Sequence, residues 1–306
     1  MKTYLKLTAI ILLLITLSTI SNAQVNKNCP FHKHGWNISD SSHKSDSCHQ
    51  MSYCCCPMGN FDMSDFPFGK KKNKYNGHWA GIEIGFSGYT TPDFNMDYGS
   101  KYPYMNMNTA RSITVNINPF ELNVNLYKKH LGFTTGLGFQ TSNYYFTDDY
   151  VMLKDSSSLV AYKVQDQQGN YVSMKVNKMV VSYLNLPLLF EYQTNPRYRV
   201  NSFHVTLGVI AGVRIGSYSK QIYDNKEETY FLVDEKGNKV ATYDVEHYMV
   251  RDRGAYHLSP FKVDAAFRVG WSYLNLFANY SLTQMFQKNQ GPELYPFVVG
   301  ITLLGW

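Results

Sequence analysis

SFHVTLGVIAGVRIGSY, residues 202–218, sets Phe203, Val205, Leu207, Val209, Ala211, Val213 and Ile215 on one face of an extended strand. His204, Thr206, Gly208, Gly212, Arg214 and Gly216 fall on the other. The apolar row is unbroken, while the opposite face is glycine-rich with an isolated charge. A soluble β-sandwich also alternates, but it turns long polar side chains to water. A strand with lipid on one side and a narrow polar interior on the other gives the pattern seen here. HLGFTTGLGFQTSNYYF, residues 130–146, repeats it, with Leu131, Phe133, Leu137 and Phe139 opposed to Gly132, Gly136, Gly138 and Gln140.

Outward from these two, six further stretches alternate over about ten residues, the length of a membrane-barrel strand: 78–89, 112–127, 179–193, 259–271, 273–287 and 294–306. Eight is an even number, as a closed antiparallel bacterial barrel requires. The connections alternate as well. Residues 90–111, 147–178 and 219–258 are long; the links around Lys128 and Lys129, across TNPRYRVN (194–201) and at Ser272 are short. Short periplasmic turns and long outer loops are the barrel arrangement, from which only the brief last outer loop, KNQGPE, departs. The expected fold is therefore an all-β, eight-stranded, antiparallel, up-and-down transmembrane barrel. VQDQQGNYV (164–172) and VDEKGNKV (233–240) each place Asp and then Gly-Asn between β-forming arms, which is hairpin chemistry. Such hairpins either project as ribbons or enter the barrel, which would then have ten strands.

Glu83, Glu121, Glu191, Arg214, Lys262, Asp264 and Arg268 lie on the polar parity of their segments. Eight strands leave an interior only wide enough for side chains, so these charges are expected to form a lumen network in which opposite signs satisfy one another. An ion pathway or active site is the functional alternative to that structural plug. Tyr and Phe gather near segment ends, as at Tyr144, Tyr145, Tyr218, Tyr280 and Tyr295, where two membrane–water boundaries would lie.

The chain begins with Lys2 and Lys6, an apolar run from Leu7 to Ile20 and the small-residue site Ser21-Asn22-Ala23. Residues 1–23 read as a secretory signal peptide, with no Cys at the cleavage point to carry a lipid anchor. No later stretch has the roughly 20 apolar residues of a membrane helix. Net charge is +6, but residues 78–306 hold 20 basic and 19 acidic side chains, which excludes the one-sided basic face of a nucleic-acid binder.

Residues 24–77 form a polar tail expected to lack a packed core and to lie in the periplasm. All five cysteines are here: Cys29, Cys48, Cys54, Cys55 and Cys56, interspersed with His32, His34 and His49. Thiolate and imidazole donors suit Zn(II) or Cu(I), yet the spacing matches no standard zinc module. Metal binding, oxidised thiols and a plain linker all fit. No cofactor is implied for residues 78–306.

VSYLNLPLLFEYQ (181–193) resembles the hydrophobic-Tyr-Leu-x-hydrophobic-Pro strand of the PorT-like outer-membrane β-barrel proteins, and GHWAGIEIGFSGY (77–89) resembles their opening strand. The last strand, ending in Trp306, is similar to the aromatic signal read by the outer-membrane assembly machinery. Two departures stand out. Tyr295, Phe297, Val299, Ile301 and Leu303 share a parity that Trp306 lacks, and Asn185 stands where the family often has an acid. The resemblance implies an outer-membrane location among lipid, with a link to secretion in the name-giving member. The residues themselves point to a non-enzymatic barrel with a structural or recognition role. A lipid-modifying enzyme would need a relay around His204 or His257, and neither has a carboxylate or Ser at relay spacing in the sequence.

Overall fold

The computed structural model describes residues 75–305, apart from 97, 99, 100, 155, 196–201, 225–228, 235, 246, 247 and 273. Residues 1–74, where the signal peptide and the Cys/His tail are expected, and Trp306 lie outside the described residues. The strands are β1 (Gly81–Thr90), β2 (Ile113–Tyr127), β3 (Leu131–Tyr145), β4 (Tyr150–Leu153), β5 (Val160–Gln165), β6 (Met174–Gln193) and β7 (Phe203–Tyr223). They continue with β8 (Thr229–Val233), β9 (Lys239–Asp244), β10 (Met249–Arg253), β11 (Phe261–Trp271), β12 (Leu274–Ser281) and β13 (Tyr295–Gly305).

Eight of these close a ring in the order β1-β2-β3-β6-β7-β11-β12-β13, with β13 pairing back onto β1 and every neighbour antiparallel. Closure leaves these strands with no free edge over the paired region, which is what a bilayer demands of a backbone. The alternation does the sorting. On β7, Phe203, Leu207, Val213 and Ile215 are exposed while His204, Thr206 and Ile210 are buried. Leu122 and Val124 on β2, Phe190 on β6, Phe267 on β11 and Ile301 on β13 extend the exposed apolar surface around the cylinder. Patches beyond a few hundred Å² are rare on soluble monomers, and a lipid surround supplies the missing apolar contact. No helix of the described residues is long and apolar enough to cross a membrane.

At one end the turns are tight. Lys128 (φ 44°) and Lys129 (φ 64°) are both left-handed, as a two-residue hairpin turn needs, and the Asn125 Oδ1 accepts the Lys129 N–H at 2.9 Å. Ser272 (φ 59°) serves the β11–β12 link. At the other end β6 and β7 run beyond the predicted segments, and β10 pairs with the upper part of β7.

The two Asp…Gly-Asn hairpins do not enter the ring. With β4 they form a separate four-stranded sheet, β4-β5-β8-β9, over a core of Val151, Val164, Val172, Tyr223, Tyr230 and Leu232. The barrel therefore has eight strands. In each hairpin one carboxylate organises the turn: Asp166 accepts from Asn170 N at 2.7 Å, and Asp234 from Asn238 N at 2.7 Å. Gly169 (φ 87°) and Gly237 (φ 82°) take the left-handed position that a side chain would strain.

Candidate functional site

Buried side chains occupy the barrel interior in successive layers. Nearest the short turns, residues 75–80 run into the lumen, so Tyr75 and Gly77, assigned to the tail by a boundary at 77, belong with the barrel. Tyr75 is buried and donates to the Glu191 carbonyl at 3.2 Å. The Glu191 carboxylate meets the His78 ring at 2.6 Å, the His78 N–H at 3.2 Å and the Thr206 hydroxyl at 3.1 Å. The His78 and His204 rings stack in parallel with centroids 3.8 Å apart. Glu121 accepts the N–H groups of both Trp79 and Ala80 at 2.8 Å, fixing the entering chain.

One layer higher, Arg268 pairs with Glu83, and Asn116 donates to the same carboxylate at 2.9 Å. The guanidinium lies over the Trp79 ring at 4.6 Å and the Phe277 ring at 5.5 Å. Above that, Lys262 pairs with Asp264, donates to Gln140 Oε1 at 2.8 Å and sits 4.8 Å from the Tyr183 ring centroid. Asn185 donates to Gln140 Oε1 at 2.9 Å, filling with an amide the place where the resembled strand often carries an acid. An apolar layer with Tyr89, Met105, Tyr144, Met179, Tyr256 and Leu258 follows toward the long loops.

Of the seven charges singled out, the structure brings Glu83 to Arg268 and Lys262 to Asp264, and gives Glu121 and Glu191 to the entering segment. Arg214 is different: its guanidinium bonds Ser217 Oγ at 2.8 Å and the Ala255 carbonyl at 3.3 Å, near the long-loop end rather than against an acid of the lumen. Just beyond Arg214 a bulge interrupts β7: Tyr183 pairs with Arg214 while Ser182 pairs with Gly216, leaving Ile215 extra and reversing the alternation from there on. Gln140, Asn116, Asn185 and Thr206 share the inward parity of the charges and hydrogen-bond to them or to one another; that parity was the signal for them.

His257, the other histidine weighed for a relay, bonds Gln290 Oε1 at 3.0 Å through its ring Nδ1. The proposed metal donors Cys29, His32, His34, Cys48, His49, Cys54, Cys55 and Cys56 lie outside the described residues. Among the described residues no group of three or more His, Cys, Asp or Glu side chains is placed to hold a metal ion.

On the long-loop side an open cleft of about 570 Å³ is lined by residues including Asn106, Asp148, Asp149, Tyr150, Lys163 and Tyr171. Burial pushes the Asp149 carboxyl above its usual value, against the Met174 N–H and Ser173 hydroxyl that favour its charge. Lys163 lies 5.5 Å from the Tyr150 ring and 5.3 Å from that of Tyr171. Aromatic faces, carboxylates and one cation on a sheet built from two loops make a surface suited to polar recognition.

A family model for an outer membrane protein beta-barrel domain matches residues 59–287. No curated protein and no solved structure gives a match.

Proposed function

Because the chain belongs to the outer membrane protein beta-barrel domain family, we propose that it is a non-enzymatic outer-membrane anchor whose four-stranded sheet is a recognition surface of the cell envelope. The observation carrying this reading is the contrast between the two ends: a lumen filled by paired charges and a buried N-terminal segment, and a loop sheet with its own apolar core. A filled lumen suits an anchor better than a conduit. An ordered sheet stitched from two loops, β5 on β8, suits presentation of a fixed surface. The PorT-like character of residues 181–193, signal-peptide cleavage after Ala23 and insertion by the outer-membrane assembly machinery belong to the same proposal.

The test is a strain lacking the protein, complemented with the full chain or with a variant whose loops 147–172 and 225–247 are replaced by short turns. The shortened barrel is expected in the outer membrane, heat-modifiable on gels, but unable to restore envelope integrity. Full restoration by the shortened barrel overturns the recognition role. Lipid hydrolysis by the purified chain, lost in His204→Ala or His257→Ala, replaces it with an enzymatic one.

A further inference from the structure

Like charges directly opposite one another across antiparallel strands are destabilising, and this barrel has a row of them. Lys178 on β6 is paired with Lys220 on β7, and Lys220 with Arg251 on β10. On the other side Lys178 pairs with Tyr145, whose ring carries Arg111 at 5.1 Å and Lys178 at 4.9 Å. Arg251 lies 4.6 Å from the Tyr218 ring. Among the described residues no carboxylate pairs with any of these four cations. Arg111 and Arg251 are exposed, and Lys178 and Lys220 half-buried.

The row faces outward. β6 pairs with β3 in one unbroken register from Leu184 to Lys178, so Lys178 shares the face of Leu184, Leu186, Leu188 and Phe190. Directly opposed residues share a face, which places Lys220 and Arg251 there too. Lys178 is 14 residues from Tyr192. At about 3.3 Å per residue and a tilt near 40°, that sets it roughly 35 Å along the membrane normal from Tyr192, past the apolar band of about 25 Å and at headgroup level. Backbones of three adjacent strands span about 10 Å, so the cations converge on a space of headgroup size.

We propose that Arg111, Lys178, Lys220 and Arg251 bind a phosphate-bearing lipid headgroup of the outer leaflet, seated against the outside of β3, β6, β7 and β10. The inference rests on the long loops being the outer ones. A phosphate supplies negative charge that no described residue pairs with the row, and accepts hydrogen bonds from ammonium and guanidinium together. The position selects a lipid over a soluble anion, because the row continues the strip that the acyl chains cover.

The test uses the full chain folded in dodecylmaltoside micelles, with diphosphorylated lipid A as probe and bound lipid counted by native mass spectrometry across a titration. Wild type should bind it, the dephosphorylated lipid should bind far more weakly, and millimolar inorganic phosphate should not displace it. Lys178→Gln/Lys220→Gln/Arg251→Gln should weaken binding roughly a hundredfold, while Lys178→Arg/Lys220→Arg retains it. Heat-modifiable mobility reports that each variant is folded. Should the triple variant misfold, Arg111→Gln/Arg251→Gln, on two exposed side chains, should still weaken binding roughly thirtyfold. Undiminished binding by the folded neutralised variants, equal binding of the dephosphorylated lipid, or displacement by inorganic phosphate each overturns the proposal.

Discussion

Glu83→Gln removes the charge that holds Arg268 in the lumen. Both side chains are almost fully buried, at 0% and 4% exposure, and Glu83 is the carboxylate bonded to that guanidinium. Breaking a buried pair at one partner costs about 3–5 kcal/mol, because the remaining charge is left without compensation. The Trp79 and Phe277 faces beside Arg268 offset part of that, on the order of 1 kcal/mol. The expected net loss is therefore about 2–4 kcal/mol. Guanidinium unfolding of the micelle-folded chain, followed by tryptophan fluorescence and by gel mobility, measures it. The double variant Glu83→Leu/Arg268→Met should recover to within about 1 kcal/mol of wild type, since apolar replacement of a whole buried pair is often neutral. A loss below about 0.5 kcal/mol for Glu83→Gln, the scale of an exposed pair, would refute the reading of a dry, packed lumen.

On the lipid face, Val209→Arg, opposite Leu188 and four residues above the Tyr192 level, places a cation near the middle of the apolar band and should cost about 2–4 kcal/mol of folding stability in bilayers, measured by reversible unfolding in liposomes. Hydrogen bonds from Asn238 hold the Asp234 carboxyl below its usual value, and those from Asn170 outweigh burial to do the same for Asp166. A lowered folded-state value means that each turn is stabilised above the unfolded pKa of about 3.9 and loses that stabilisation as pH falls through the folded one. Hydrogen-exchange protection of β8 and β9 should hold from neutral pH down to about pH 5 and decline below about pH 4, and the decline should shrink in Asp234→Asn. Metal analysis of the full chain checks the tail: a Zn or Cu equivalent lost on deletion of residues 29–58 identifies a Cys/His site there, and metal-free protein reduces the tail to thiols and linker.

The eight ring strands were legible because each lies between two different solvents, lipid and a polar lumen, and a period of two records that directly at Phe203–Val213 or Leu131–Phe139. Charges on the polar parity were legible for the same reason. Parity failed where the strand bulges. At Ile215 the extra residue turns Tyr218 and Lys220 outward, whereas Arg214, before the bulge, keeps the inward parity opposite Tyr183. Near the C-terminus Ile82 pairs with Leu304 but Glu83 with Thr302, so Leu303 is extra and the alternation read through Ile301 and Leu303 breaks there. The hairpin turns at Asp166 and Asp234 were visible as local chemistry, but the pairing of β5 with β8 joins residues nearly 70 apart in sequence, and no local pattern specifies that partner. The entry of Tyr75 into the lumen was hidden because its partner, Glu191, lies 116 positions away.

The central claim is that the odd-numbered residues of β7 between Phe203 and Val213 touch lipid and the even-numbered ones do not. The direct measurement is a fluorophore attached to single cysteines at 203–213, in a chain whose native cysteines are replaced by Ser, reconstituted in bilayers containing a brominated-chain lipid. Quenching that alternates strictly along the strand, strong at odd positions and weak at even ones, is the predicted result. Uniform quenching, or none because the chain stays in solution without entering the bilayer, would contradict the account.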